Sequence, residues 1–160
     1  MSHTEALANK LSLQLKNQQL KLAVAESCTG GSLAAILTSL SGSSAWFDCG
    51  FVTYSNQAKQ QMLGVSESIL NSDGAVSEAT ACAMASGALK YSHADFSVAI
   101  TGIAGPTGGT DTKPVGTVWI AWAESKQPVI ATCYTFSGNR DAVRKAAVIE
   151  ALQGLIKHTA

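Results

Sequence analysis

The chain has 160 residues, of which 46% are hydrophobic and only 14% are charged, and its 11 basic residues balance its 11 acidic ones. This length and composition indicate one compact globular domain, residues 1–160, and exclude a disordered chain. The zero net charge argues against broad nucleic-acid or membrane binding, and no apolar run is long enough to span a bilayer. Because the first ten residues contain no apolar signal core, we expect a cytoplasmic protein.

The cysteines and histidines offer little material for a metal site or a histidine-based triad. The four cysteines are widely spaced and form no C-x-x-C pair, which argues against zinc and favours small buried side chains. Two histidines lie near the chain ends, and His93 follows a predicted helix. We therefore expect no metal and no cofactor, and a general base other than histidine.

The first predicted helix spans residues 4–20, and it precedes the most informative stretch, residues 22–40, LAVAESCTGGSLAAILTSL. A short apolar run, a glycine-rich turn and a helix-period pattern predict a strand, a tight turn and a helix. The turn places a hydroxyl, Ser27, and a thiol, Cys28, at the end of a strand, beside the amide groups of a helix N-terminus. This arrangement favours attack on a carbonyl group. The alternative is that Ser27 only caps the helix.

A second strand and helix follow a Ser-Gly loop. Residues 45–54 are rich in aromatic and β-branched side chains and predict a strand, and residues 57–63 predict a short helix that ends at Gly64. Tyr54 closes the strand and Lys59 lies in the first turns of the helix. Both side chains could project toward the Ser27 turn, although an ordinary exposed lysine is the alternative for Lys59.

The middle of the chain predicts two more helices, a strand and a long loop. Residues 65–70 predict a short helix, and residues 78–91, capped by Ser77, a helix of small side chains that suits close packing or a subunit contact. Residues 95–101 predict a strand that runs into a glycine- and proline-rich loop, residues 102–114. Its spacing fits neither a dinucleotide fingerprint nor a Walker A motif, so we interpret it as a backbone cradle for a phosphate or sugar, or as a simple connection.

The last third predicts a hairpin, residues 115–124 and 129–136, and a terminal helix, residues 140–157. Arg140 and Arg144 share one face at the start of that helix, where cations oppose the helix dipole and need a partner. The partner is either an anionic ligand or a carboxylate such as Asp141. Together the elements predict a three-layer α/β/α sandwich with a mixed, largely parallel sheet.

Five motifs together resemble one family, and the resemblance covers nearly the whole chain. They are AESCTGG at 25–31, FVTYSN at 51–56 with Lys59, GAVSE at 74–78, TGIAGPTGG at 101–109 and KPVGTVW at 113–119. The chain is similar to the C-terminal domain of the competence/damage-inducible protein CinA, whose stand-alone members are nicotinamide-nucleotide amidases. The resemblance implies hydrolysis of nicotinamide mononucleotide to nicotinic acid mononucleotide and ammonia, in pyridine-nucleotide salvage. It also implies a nucleophile at Ser27, with Tyr54 and Lys59 beside it.

The chemistry of amide hydrolysis gives the other candidates a role. An amide needs an activated nucleophile, donors for the oxyanion and an acid for the leaving ammonia. Lys59 is the best available base if burial lowers its pKa, and Tyr54 could relay the proton. Backbone amides of the turn would bind the oxyanion, and an arginine with the long loop would bind the phosphate. The predicted binding set is Thr29, Gly30, Gly31, Thr101, Gly102, Gly105, Gly108, Arg140 and Arg144.

Two alternatives remain open from the sequence. Cys28 could be the nucleophile, assisted by Glu26 and Lys59, because a thiol is intrinsically the stronger nucleophile. If side chains alternate at the strand end, only one of Ser27 and Cys28 faces the cleft. The chain could also be a non-enzymatic nucleotide-binding module. A homodimer is expected from the small-residue helix and the tryptophans Trp46, Trp119 and Trp122.

Overall fold

The structure, a computed structural model, describes all residues 1–160. Every predicted helix and strand is present, with its ends within a few residues of the predicted ones. None of the helices is both long and apolar enough to cross a membrane. The helices are α1 (His3–Gln18), α2 (Ser32–Thr38), α3 (Asn56–Leu63), α4 (Glu67–Asp73), α5 (Glu78–Lys90) and α6 (Arg140–His158), and the strands are β1 (Leu22–Glu26), β2 (Phe47–Val52), β3 (Phe96–Gly102), β4 (Thr117–Glu124) and β5 (Ile130–Thr135).

The five strands form one sheet in the order β2-β1-β3-β4-β5. Strand β1 pairs in parallel with both β2 and β3, whereas β4 pairs antiparallel with β3 and β5, so four of the five strands run in one direction. Glu26, the last residue of β1, lies opposite Val52 of β2 and Ile100 of β3. The carboxyl ends of these three strands therefore meet at one edge, which is where α/β sheets usually hold ligands.

The helices cover both faces of the sheet, which confirms the predicted three-layer α/β/α sandwich. One face packs large aliphatic side chains of the strands against α1, α2 and α6. On the other face the fully buried apolar side chains of the strands are all alanines, and this alanine-lined face packs against α3, α4 and α5. Alternation along the strands produces this difference, because neighbouring residues point to opposite faces. The alanines on the second face are Ala23, Ala25, Ala99, Ala121 and Ala123.

The small-residue helix α5 packs within its own chain. Its buried alanines, Ala81, Ala85 and Ala88, lie against the alanine-lined face of the sheet. Two of the three tryptophans, Trp46 and Trp122, are likewise buried in the opposite core. These features therefore serve the monomer, and the homodimer stays a prediction.

Gly87 sets how closely α5 approaches α3, the helix that carries Lys59. A Cβ atom at residue 87 would lie 2.1 Å from the carbonyl oxygen of Leu63. Real Cβ atoms do not approach backbone oxygen that closely, so any side chain at this position would push the two helices apart. The position of α3 over the edge of the sheet depends on this glycine.

We expect Gly87→Ala to lower the free energy of unfolding by about 1–3 kcal/mol, because overpacking outweighs the higher helix propensity of alanine. Chemical denaturation followed by circular dichroism measures the change. Ser86→Ala is the matched control, since Ser86 is the exposed neighbour on the same helix and its replacement should be neutral or slightly stabilising. Equal stability of the two variants would show that the helices can separate at no cost.

Candidate active site

The turn after β1 presents Ser27 at the carboxyl edge of the sheet. The Ser27 amide donates to the carbonyl of Ile100 at 2.9 Å, which extends the β1–β3 pairing by one residue. The Gly30 amide then donates back to the Ser27 carbonyl at 3.0 Å. Gly30 (φ +60°) and Gly31 (φ +104°) both adopt left-handed conformations, which glycine reaches without the steric cost of a side chain. The sequence motif therefore encodes a tight reversal directly after Ser27.

Glu26, and not Ser27, caps helix α2. Its buried carboxylate accepts hydrogen bonds from the amides of Leu33 and Ala34 at 2.9 and 3.0 Å. The sequence-based alternative in which Ser27 is only a cap is therefore wrong. The assisting role considered for Glu26 finds no support either, because both carboxylate oxygens are bonded to the helix. A single carboxylate in an apolar strand, shortly before a helix, was the available signal for this cap.

Lys59 is buried and lies against Ser27. Its side chain is 1% exposed, so the alternative of an ordinary surface lysine is wrong. The Nζ atom lies 2.9 Å from Ser27 Oγ, 2.9 Å from the Thr53 carbonyl oxygen and 3.5 Å from the Tyr54 carbonyl oxygen. Lys59 makes no ion pair, since the chain's only salt bridge joins Lys145 and Asp141. Burial lowers the pKa of Lys59, and the nearby Cys28 opposes this shift only in part.

Thr53 contributes a contact that the sequence did not reveal. Its amide donates to the Glu26 carbonyl at 2.9 Å, which joins the end of β2 to the end of β1. Its own carbonyl then accepts from Lys59. A backbone acceptor has no signature in the sequence, so only the fold could identify it.

Cys28 borders the same cavity as Ser27, but its side chain belongs to the hydrophobic core. Burial raises the pKa of the thiol to about 11. Strict alternation along the strand would place only one of the two side chains in the cleft. Both border it, because the chain turns immediately after Glu26, yet only the Ser27 hydroxyl is hydrogen-bonded to Lys59.

Tyr54 and Arg140 connect the end of β2 to the glycine-rich loop and to α6. The Tyr54 hydroxyl accepts a hydrogen bond from Arg140 Nη2 at 2.9 Å, and Arg140 Nη1 donates to the Gly105 carbonyl at 2.9 Å. Tyr54 is 59% exposed, so its ring stands at the open side of the site. One guanidinium group thus holds three elements of the site together.

The long loop forms the wall opposite Ser27. Thr101, at the end of β3, donates its hydroxyl to the Ala75 carbonyl at 2.7 Å, and Lys113 Nζ donates to the Asp73 carbonyl at 2.8 Å. These bonds fasten the loop to the segment between α4 and α5. The amides of residues 104, 105, 107 and 108 have no acceptor within the chain. These four residues also line the cavity of the site, so their amides are candidate donors to a ligand.

These elements enclose a cavity of about 240 Å³. It brings together most of the predicted residues: Ser27, Lys59, Tyr54, Thr101, Gly102, Gly105, Gly108 and Arg140. Thr29, Gly30, Gly31 and Arg144 do not line it. No group of three or more histidine, cysteine or acidic side chains is placed to hold a metal ion.

Arg144 is bonded to the backbone of the turn after β1 and not to a carboxylate. Its Nε donates to the Cys28 carbonyl and its Nη2 to the Thr29 carbonyl, both at 3.1 Å. The carboxylate of Asp141 is paired with Lys145 at 2.9 Å. The carboxylate alternative is therefore wrong for Arg144, because two backbone carbonyls take that place, whereas an anionic ligand stays a prediction.

Known proteins resemble this chain over almost its whole length. Residues 4–159 match the model of the CinA C-terminal domain family. The nicotinamide-nucleotide amidohydrolase PncC of Escherichia coli (strain K12) is 52% identical over 149 residues, 93% of this chain and 90% of the relative. The protein of the same name from Pseudomonas putida is 46% identical over 157 residues, 98% of both chains.

A solved structure shows the same fold over the full length. The crystal structure of the competence/damage inducible protein CihA from Agrobacterium tumefaciens is 44% identical, with a TM-score of 0.97 over 100% of this chain and 98% of that one. The resemblance seen in the sequence motifs is thus confirmed by the family model, by relatives and by the fold. The chain belongs to the CinA C-terminal domain family.

Proposed function

We propose that this chain is a nicotinamide-nucleotide amidohydrolase that converts nicotinamide mononucleotide and water to nicotinic acid mononucleotide and ammonia. Relatives that are 46–52% identical over most of the chain carry that name. The observation that carries the proposal is the buried 2.9 Å contact between Ser27 Oγ and Lys59 Nζ, where Lys59 has no counter-ion. This pairing of a nucleophile and a base suits acyl transfer.

Neutral Lys59 acts as the general base. A neutral amine has two N–H donors and one lone pair, and the carbonyl oxygens of Thr53 and Tyr54 accept the two donors. The lone pair is then left to accept the Ser27 hydroxyl proton. Burial favours this state, because an ammonium group without a counter-ion is costly to desolvate.

The reaction proceeds through an ester on Ser27. Ser27 Oγ attacks the carboxamide carbon as its proton moves to Lys59 Nζ, and a tetrahedral intermediate forms. Lys59 returns that proton to the amide nitrogen, the C–N bond breaks and ammonia leaves. Water then attacks the ester with Lys59 as base, which releases the carboxylic acid and restores the Ser27 hydroxyl.

The oxyanion and the leaving group need further partners. Among the turn amides predicted for the oxyanion, that of Gly30 is bonded to the Ser27 carbonyl, whereas those of Thr29 and Gly31 have no acceptor in the chain. Neither residue lines the cavity and Thr29 is fully buried, so oxyanion binding by these two amides stays a prediction from the sequence. The Tyr54 hydroxyl, which accepts from Arg140, keeps its own proton available for relay to the departing nitrogen.

The phosphate of the substrate is assigned to Arg140 and the glycine-rich loop. Arg140 borders the cavity, and the free amides of residues 104, 105, 107 and 108 lie on the same wall. A cation and several amide donors together are the usual partners of a phosphate group. The cytoplasmic location, the homodimer and the role in pyridine-nucleotide salvage stay predictions beside this assignment.

Ser27→Ala should abolish ammonia release from nicotinamide mononucleotide, whereas Cys28→Ala should keep most of it, because the thiol is buried, protonated near neutral pH and not hydrogen-bonded to Lys59. A coupled ammonia assay with nicotinamide, its riboside, its mononucleotide and NAD measures both the activity and the substrate preference. The reverse pattern would give the role of nucleophile to Cys28. Binding of the mononucleotide without ammonia release over many protein equivalents would indicate a non-enzymatic binding module.

The pH profile should report the deprotonation of Lys59. Since only the neutral amine accepts the serine proton, kcat/KM should rise with pH and then level off above the pKa of Lys59, which lies below its ordinary value of 10.5. Lys59→Arg should be inactive at every pH, because a guanidinium group stays protonated. A rate that falls with increasing pH through the neutral range would contradict this role.

Arg140→Met should weaken use of the mononucleotide more than use of the riboside, which lacks the phosphate. We expect the ratio of the two kcat/KM values to fall by about 10- to 100-fold, the size of a lost hydrogen bond to a charged group. Any effect transmitted through Tyr54 cancels in this ratio, because it acts on both substrates. An unchanged ratio would place the phosphate elsewhere.

A further inference from the structure

Arg144 takes no part in the chemistry described so far, although it is bonded to the two residues that follow the nucleophile Ser27. It is half-buried on α6, and its guanidinium group reaches across to the turn that follows β1. It does not line the cavity that contains Ser27 and Lys59. Its two hydrogen bonds go to the carbonyls of consecutive residues, Cys28 and Thr29.

These two bonds fix the orientation of two consecutive peptide groups. In a planar trans peptide the C=O and the following N–H point in opposite directions. Because Arg144 holds the Cys28 carbonyl, the Thr29 amide must point away from Arg144, and this amide has no acceptor in the chain. The rigid fork of a guanidinium group can bond two carbonyls at once, which the single ammonium of lysine does less well.

Glu26 holds the same segment at its other end. Its carboxylate binds the amides of Leu33 and Ala34, so the turn between Ser27 and α2 is fastened by one buried anion and one half-buried cation. Neither Glu26 nor Arg144 forms an ion pair with a side chain of opposite charge. Two of the three guanidinium nitrogens of Arg144, Nε and Nη2, are thus bonded to backbone carbonyls, while Nη1 has no partner in the chain and Arg144 borders a second cavity together with Arg140.

We propose that Arg144 is a positioning residue that fixes the 27–31 turn, and with it Ser27 Oγ relative to Lys59 Nζ, and that it is not a ligand of the substrate phosphate. The inference rests on the proposed amidase function for its kinetic test. The proposal also states that the reactivity of Ser27 depends on an arginine that does not touch the substrate. This dependence can be tested without any amide substrate.

The kinetic test compares Arg144→Met and Arg144→Lys with Lys145→Met, on the mononucleotide and on the riboside. Lys145 is the matched control, since it is the next residue on α6 and its side chain is 73% exposed. We expect Arg144→Met to lower kcat at least tenfold, by the same factor for both substrates, with KM changed less than about threefold. Arg144→Lys should lie between Arg144→Met and wild type, and Lys145→Met should match wild type.

A loss confined to the mononucleotide would overturn the proposal, because it would make Arg144 a phosphate ligand. Unchanged kcat in Arg144→Met would overturn it as well. Thermal unfolding of each variant is measured alongside, and if Arg144→Met does not fold, Arg144→Lys carries the comparison. Arg144→Lys keeps the positive charge, so a loss of kcat in this variant reports the loss of the two-carbonyl hydrogen-bond geometry.

A second readout uses the rate at which a fluorophosphonate labels Ser27, located by mass spectrometry. We expect labelling to slow at least tenfold in Arg144→Met and to stay unchanged in Lys145→Met. Wild-type protein that labels but releases no ammonia would refute the amidase and leave the positioning role tested by the labelling rates. Equal labelling of Arg144→Met and wild type would overturn the positioning role, as would a wild-type Ser27 that does not label at all.

Discussion

The structure depends on Lys59, a buried lysine that has no carboxylate partner. Lys59 is 1% exposed and bonds only to two backbone carbonyls and the Ser27 hydroxyl. A full ammonium charge in that place would be uncompensated, and burial accordingly lowers the pKa of the amine. The same desolvation that is unfavourable to the charged form makes the neutral amine available as a base. Stability and proposed chemistry are therefore linked at one contact.

The surrounding fold is arranged to hold that contact. Ser27 comes from the end of β1, Thr53 from the end of β2, and Lys59 from α3, which Gly87 allows to pack tightly against α5. Parallel pairing brings these strand ends together, and the alanine-lined face lets α5 lie close to the sheet. A small displacement of any one layer would separate nucleophile and base. Close-packed interiors resist such displacements. The positions of Ser27 and Lys59 are therefore held in part by the close packing of residues that lie outside the site.

Charge is used in two distinct ways around the site. Glu26 and Arg144 bind backbone groups and shape the turn, whereas Arg140 borders the cavity and contacts Tyr54 and the loop. The two arginines are four residues apart on one helix face and border one cavity together, yet their hydrogen-bond partners differ. Arg140 lies where β2 and the loop converge, and Arg144 lies behind the turn. Two arginines with the same sequence pattern thus differ in role, because different segments of the chain pack against them.

The sequence by itself determined the elements, their order, the three-layer architecture and the set of motifs, because hydrophobic period and glycine placement act over a few neighbouring residues. It also singled out Ser27, Tyr54 and Lys59 as neighbours. Only the tertiary structure decided that Glu26 caps α2, that Lys59 is buried and that Arg144 binds carbonyls. Those outcomes depend on which backbone atoms from distant segments arrive beside each side chain, and a linear pattern of residue types does not encode such acceptors.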